Sequence, residues 1–439
     1  MTAVAGEAAT LLATLPNGVR VVAMPMPHLH TASVSVFVRS GSAHESRALN
    51  GISHVVEHMV FKGTQARDAQ RINLDAERLG AEVNAHTDKD HTAFYMRGRA
   101  EHAAQFVQML ADLVLRPTFP GDEFEREREV LLNEHTEVED DPMSTAYVLF
   151  DHACWGLHPA AQPVIGSRRN IERFTRADLV GYVQRQYTAA NVVVAAAGAI
   201  DADVVLRQVD AAFGGMPAGQ PNVVAAPAWI GGLRSRRLAG SGQTHLVLGF
   251  PLPDLGADDP TGEVAAALFG EGMSSPLMAG LRERQGLVYY AACAADVLDL
   301  CGQFAVEASF APDKLEAVLH ELLRLLALQA ERIDPVDLER ARNQIAVRQL
   351  RTLERPARRL EEAALDLFAL GRLRPAPERL ARAEAVSAQQ VRALFERMLA
   401  AGSSMALAGA VGRGLTQRVA ALMTPGPSGP SGPAGSPVN

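Results

Sequence analysis

Three cysteines in 439 residues are too few to build a disulfide framework. Cys154, Cys293 and Cys301 are scattered and contain no C-x-x-C pair, which excludes a thiolate metal site and suits a reducing compartment, by default the cytoplasm. No uncharged apolar run approaches the ~18–20 residues needed to cross a bilayer, so no membrane association is expected. Basic blocks are absent as well. With 42 Lys and Arg against 50 Asp and Glu, the net charge of −8 argues against nucleic acid as a partner. The opening Met1-Thr-Ala-Val-Ala-Gly-Glu7 lacks both the basic region of a secretory signal and the arginine bias of a transit peptide.

What remains is an ordinary soluble composition, 48% apolar and 21% charged. At this length one hydrophobic core rarely suffices, so two or more domains are expected. The stretch Gly51-Ile-Ser-His-Val-Val-Glu-His-Met-Val-Phe-Lys-Gly-Thr64 carries His54, Glu57 and His58 in the order H-x-x-E-H. On a helix, residues four apart share a face, so both imidazoles can reach one point. Two neutral imidazoles on a rigid element can begin a zinc site, and Glu57 on the same side can take a proton from water without being a ligand. This is the reverse of the commoner H-E-x-x-H and is the inverzincin order. By itself the trio also reads as the polar side of an amphipathic helix. A third ligand further along is what would decide between the two.

Along the chain, Asn17-Gly18 marks a turn between strands, and Ala32–Arg39 alternates as a strand. Asp68–Gly80, Glu101–Leu115, Asp122–Glu139 and Thr175–Tyr187 read as helices, the second ended by Arg116-Pro117. Ala81–Met96 reads as two strands joined by a tight acidic turn. Within it, His86 and His91 are taken as strand positions with no metal role. Asn191–Gly198 is an apolar strand buried on both faces.

Pro217 to Gly232 holds three prolines, three glycines and no charge. The boundary is placed there, giving domains at 1–218 and 233–423 around a linker at 219–232. The second half repeats the first. Val34–Val38 corresponds to Leu246–Phe250 at a shift of 212, and Phe124…Pro142 to Leu338…Pro356 at a shift of 214. The expected fold class is therefore α+β: two homologous α/β domains, each a mostly antiparallel sheet flanked by helices, related by internal duplication. In the second copy His54, Glu57 and His58 fall on Ala266, Phe269 and Gly270, so only the first could hold a metal. Thr424 to Asn439, rich in Pro, Gly and Ser, is expected to be a disordered tail.

The acidic helix at 122–139 offers many candidates for a third ligand. Glu127 and Glu134, seven apart, share a face, whereas Glu123, Glu125, Glu129 and Glu137 fall elsewhere or further off. His135 points about 100° away from Glu134. The segments H-V-V-E-H-M-V-F-K-G-T, N-A-H-T-D-K-D-H-T-A-F-Y and E-R-E-R-E-V-L-L-N-E-H-T-E-V-E-D-D-P together resemble the pitrilysin/insulinase family of zinc peptidases. Within that family they are most like the half-length branch that includes mitochondrial processing peptidase. The resemblance runs from about residue 14 to residue 412.

The resemblance implies Glu134 as third ligand beside His54 and His58, with Glu127 as the auxiliary acid. It implies one Zn2+ per chain in a His2Glu site whose fourth position is open, with Glu57 as general base. It also implies an extended peptide laid along the strand of Asn84 and Ala85. Arg282 and Tyr289 would be donors to the substrate carbonyl, offered across a chamber by a partner subunit. The expected activity is zinc-dependent endopeptidase action on peptides or unfolded polypeptide. A homodimer fits a chain that keeps both zinc and Arg/Tyr features, and a heterodimer with a related subunit is the alternative. Two other readings stand beside this: a non-catalytic scaffold subunit of a heteromeric complex, and a maturation protease for one precursor peptide.

Overall fold

Turn chemistry and alternation set the first sheet. In the computed structural model, which describes residues 10–412 with Gly414 and Val419, strands β1 (Leu11–Thr14) and β2 (Arg20–Pro25) flank the Asn17-Gly18 turn. Gly18 takes φ +104°, a conformation open to glycine, and Asn17 pins the turn by donating to the Phe213 and Met216 carbonyls. Strands β3 (Thr31–Val38), β4 (Glu82–Thr87), β5 (Thr92–Arg99) and β6 (Val192–Gly198) complete a sheet of order β1-β2-β6-β3-β5-β4. Only the β2–β6 pair is parallel. The expectations for the first residues and for the 424–439 tail lie outside the described residues.

The second half builds β7 (Gly232–Arg237), β8 (Thr244–Leu252), β9 (Tyr290–Val297), β10 (Gly302–Phe310) and β11 (Ser404–Gly409). Their order, β7-β11-β8-β10-β9, repeats the first sheet from β2 onward, again with one parallel pair, β7–β11. Arg20 to Gly232 and Val192 to Ser404 are both shifts of 212 at strand starts, the offset read from the sequence. Residues 217–231 run between the halves without helix or strand. No described helix is long and apolar enough to cross a membrane.

Strand β6 is buried along its whole length because each of its faces meets a different core. Val192, Val194 and Ala196 face the main core of the first half, with Val55, Val56 and Met59. Val193, Ala195 and Ala197 instead meet Leu360, Ala363, Ala364 and Leu367 of helix Pro356–Leu370, which comes from the second half. The first half returns the arrangement. Its helix Pro142–Trp155 sets Ala146, Phe150 and Cys154 against Val247, Ala305, Ala406 and Ala408 of the second sheet. Pro142 and Pro356, the first residues of these helices, are repeat-equivalent. Each half thus lends its matching helix to the other's sheet. Close approach needs Gly249 in β8, where a Cβ would lie 2.5 Å from the Phe150 ring.

One sequence expectation changes. His91 is not a strand residue: β5 begins at Thr92, and His91 lies buried in the connection that follows β4. The acidic residue before it holds the ring there, Asp90 Oδ1 being 2.7 Å from His91 Nδ1.

Candidate metal centre

The helix Ile52–Val60 buries Ile52, Val55, Val56, Met59 and Val60, which leaves His54, Glu57 and His58 half-buried on its remaining face. Its start is a fixed point. Gly51 takes φ +99°, and a Cβ there would come within 2.8 Å of Gly166. The buried Glu45 carboxylate caps the helix, accepting from Gly51 N–H and Ser53 N–H at 2.7 Å each and from the Asn50 amide at 3.0 Å. Burial pushes the Glu45 carboxyl up to about 7, against these hydrogen bonds, which pull it down. The Ser53 hydroxyl meets the buried Tyr182 hydroxyl at 2.6 Å, and Tyr182 in turn meets Ser40 at 2.7 Å.

The second element is the helix Gly121–Asp140. Two turns of it bring Glu127 and Glu134 to the His54 face. Glu134 Oε2 lies 3.6 Å from His58 Nε2 and 3.9 Å from His54 Nε2. One ligand atom from each of His54, His58 and Glu134 falls within 4.8 Å of the others, and the two rings stand edge to face. Glu127 Oε1 sits 2.9 Å from His58 Nδ1 and its Oε2 sits 2.6 Å from Lys62 Nζ. An imidazole that donates from Nδ1 to a carboxylate keeps its Nε2 lone pair free, and that nitrogen faces Glu134.

The two imidazoles are tuned in opposite directions: burial works against charge on His58, but its hydrogen bond to Glu127 and the nearby carboxylates prevail and raise it. Burial, reinforced by the neighbouring His58, drives the His54 imidazole down to about 4, so the ring is neutral and able to coordinate at neutral pH. Burial works against charge on Glu127, but its hydrogen bonds to His58 and Lys62 prevail and hold the carboxyl below its ordinary range. Glu57 is not among the converging donors. Its Oε2 accepts from the Thr87 hydroxyl of β4 at 2.6 Å, and burial raises its carboxyl above the usual value, as a proton carrier requires. His135 points elsewhere, toward Glu139, as its helical position predicts.

Asn84 and Ala85 lie on β4, the edge strand of the first sheet, with Asn84 exposed and Ala85 packed into the core beneath the site. Arg282, in the turn Ala279–Arg284, and Tyr289, just before β9, are both exposed. Among the described residues no hydrogen bond or ion pair joins either to the His54 cluster. Sequence reasoning missed Glu45, Lys62 and Thr87. Lys62 stands one helical turn after His58 and could have been found by that spacing, whereas Glu45 and Thr87 reach the site only through tertiary folding.

A family profile described as Insulinase (Peptidase family M16) matches residues 20–168, and one described as Peptidase M16 inactive domain matches residues 173–345. The chain belongs to peptidase family M16. An uncharacterised zinc protease of Mycobacterium tuberculosis is 32% identical over 423 residues, covering 93% of this chain and 96% of its own. One from Rickettsia felis is 29% identical, covering 84% and 89%. Among solved structures, a Helicobacter pylori protease superposes with a TM-score of 0.84 at 20% identity, covering 91% of this chain and 99% of that one.

Both M16 halves keep the same pair of helices, but only the first carries the candidate ligands His54, His58 and Glu134. In the second half the helix Thr261–Gly270 is buried throughout its last seven residues, Val264 to Gly270, where the first half has histidines. Arg348, on helix Pro335–Leu353 at the place of Glu134, reaches Glu263 at 2.8 Å and Glu271 at 2.9 Å. An ion-pair clasp occupies the position of the ligand triad.

Proposed function

We propose that the chain is a zinc-dependent endopeptidase acting on peptides or unfolded polypeptide segments. The observation that carries this reading is the convergence of His54, His58 and Glu134, with Glu57 beside them and held off by Thr87. Two imidazoles and a carboxylate fit zinc, and three protein ligands leave a position open for chemistry. Zinc held there supplies a Lewis acid that polarises a peptide carbonyl and makes water more acidic. Glu57 takes the proton of the attacking water on its carboxylate and delivers it to the leaving amide nitrogen. Thr87 orients that carboxylate, and Glu127 orients His58.

Edge strand β4 would accept the substrate by main-chain pairing along Asn84 and Ala85, which reads extended conformation more than sequence. The exposed Arg282 and Tyr289 would act from a facing subunit, a second copy of this chain or a related partner, closing a chamber over the peptide. Three free cysteines suit the cytoplasm as the place of action.

Metal analysis paired with peptide cleavage tests this. The expected result is one zinc in this centre, lost in a His54→Ala/His58→Ala protein, and cleavage abolished by chelation. Glu57→Gln should keep that zinc and lose about 10²–10⁴-fold in rate. Undiminished cleavage by Glu57→Gln would remove the hydrolytic mechanism. Zinc retention with no cleavage of any unfolded substrate would favour the non-catalytic scaffold reading.

A further inference from the structure

A second group of ligating side chains lies on the other side of β4. His86 adjoins Thr87 in that strand, so it faces away from Glu57 toward helix Pro356–Leu370 of the second half. There His86, the buried His91 and Glu361 bring one ligand atom each to within 4.8 Å of one another. His86 Nε2 is 3.4 Å from Glu361 Oε1, and the two imidazoles meet edge to face with centroids 5.5 Å apart.

Two features separate this cluster from an ordinary surface ion pair. First, His91 is only 3% exposed, and its Nε2 is sealed from solvent with no hydrogen-bond partner. Buried ring nitrogens are rarely left so. Second, the surrounding groups are arranged as they are around a metal ligand. Asp90 Oδ1, 2.7 Å from His91 Nδ1, fixes the tautomer that leaves Nε2 with its lone pair, and Asp90 Oδ2 is itself anchored by the Asp299 N–H at 3.2 Å. Glu361 Oε2 accepts from Arg358 at 2.9 Å, which turns Oε1 toward His86.

We propose that His86, His91 and Glu361 form a second divalent-metal site, of two-imidazole, one-carboxylate chemistry suited to zinc, that clips the second half's helix to the edge strand of the first. Zinc bonds of ~2.0–2.1 Å in tetrahedral geometry set ligand atoms about 3.3 Å apart. The His86–Glu361 pair already stands near that spacing, at 3.4 Å, and His91 offers its ligand atom within 4.8 Å of both. A cleft of about 850 Å³, lined by His86 and Glu361, gives the ion a way in from solvent. Arg97, Arg355 and Arg358 line the same cleft, so this site is the weaker of the two and fills at higher zinc.

The test uses full-length protein stripped of metal and dialysed against ZnCl2, with CoCl2 as a spectroscopic probe. Wild type should take up two ions and the His54→Ala/His58→Ala protein one, with the visible absorption of imidazole-bound cobalt. Adding Glu361→Gln or His86→Ala, both at partly exposed positions, should abolish that remaining ion. Glu361→Gln alone should keep one zinc in the first centre, which also reports that the variant is folded. The proposal is overturned if folded His54→Ala/His58→Ala protein binds no zinc or cobalt, or if its binding survives both Glu361→Gln and His86→Ala. Failure of the first centre looks different: wild type would then bind a single ion that Glu361→Gln removes.

Discussion

Glu127 lies outside the converging His54, His58 and Glu134, yet its removal should weaken zinc binding by a calculable amount. Its carboxylate is buried, sits 2.9 Å from His58 Nδ1 and 2.6 Å from Lys62 Nζ, and those two bonds, His58 first, hold it below the ordinary range against burial. A hydrogen bond to a charged group contributes ~1.5–3 kcal/mol. At ~1.4 kcal/mol per factor of ten, its loss weakens the site by about 10–150-fold. Removal of an outer carboxylate from a histidine ligand typically costs about 10–100-fold, the same range by an independent route. Glu127→Ala should therefore bind zinc about 10–100-fold less tightly in competition with a chromophoric chelator. Glu127→Gln, whose amide oxygen still accepts from His58 without charge, should fall between Ala and wild type. Lys62 reaches solvent when freed, its side chain being 28% exposed, so folding should suffer little. Saturating zinc should restore much of the cleavage by Glu127→Ala, unlike that by Glu57→Gln. Equal zinc affinity in wild type and a folded Glu127→Ala protein would refute the role given to this residue.

Other perturbations test the scaffold around the centre. The Glu45 carboxyl is raised from 4.5 to about 7 in the folded protein, so its contribution to stability is complete below 4.5 and is lost as pH rises through 7. Glu45→Gln should flatten the fall in stability across that window in urea unfolding of the metal-free protein; an unchanged slope would show that Glu45 does not titrate there. Phe150→Ala should cost about 3–5 kcal/mol by emptying the contact between helix Pro142–Trp155 and the second sheet. Limited proteolysis and thermal unfolding would register it, and an unaltered melting profile would contradict the packing described. Arg348→Ala, breaking a partly exposed clasp, should cost only about 1 kcal/mol or less and leave zinc content untouched. Loss of zinc in that variant would mean that the halves do not divide the two tasks.

What the sequence discloses about this site depends on how far apart its parts are. His54, Glu57 and His58 are legible because a helix repeats every ~3.6 residues and local spacing fixes their shared face. Glu134 is not selectable by spacing alone from the acids of its helix, since Glu127 shares its face. The resemblance chose between them; in the structure Glu134 faces the two Nε2 atoms and Glu127 the Nδ1. Thr87 and Glu45 carry no local signal at all. The exchange of helices between sheets was equally hidden, because an apolar stripe on Pro142–Trp155 does not say which sheet it will cover. His91 misled through its alternating neighbours. Asp90 outweighs that pattern by drawing the ring into the connection.

The duplication explains why the metal helix is where it is. In both halves a mostly buried helix meets a long charged helix, and a polar fastening joins the two. In the second half Arg348 fastens to Glu263 and Glu271, a connection complete within the chain. In the first half the fastening is Glu127 and Lys62 around His58, with Glu127 seven residues, about two helical turns, before Glu134. That displacement matters. The outer carboxylate holds the helices together without consuming Nε2 of either histidine or Glu134 Oε2, so the scaffold is stable while its three ligand atoms stay free. A fold that had fastened the two helices with Glu134 itself, as Arg348 does at the equivalent place, would have gained an ion pair and lost the donor set.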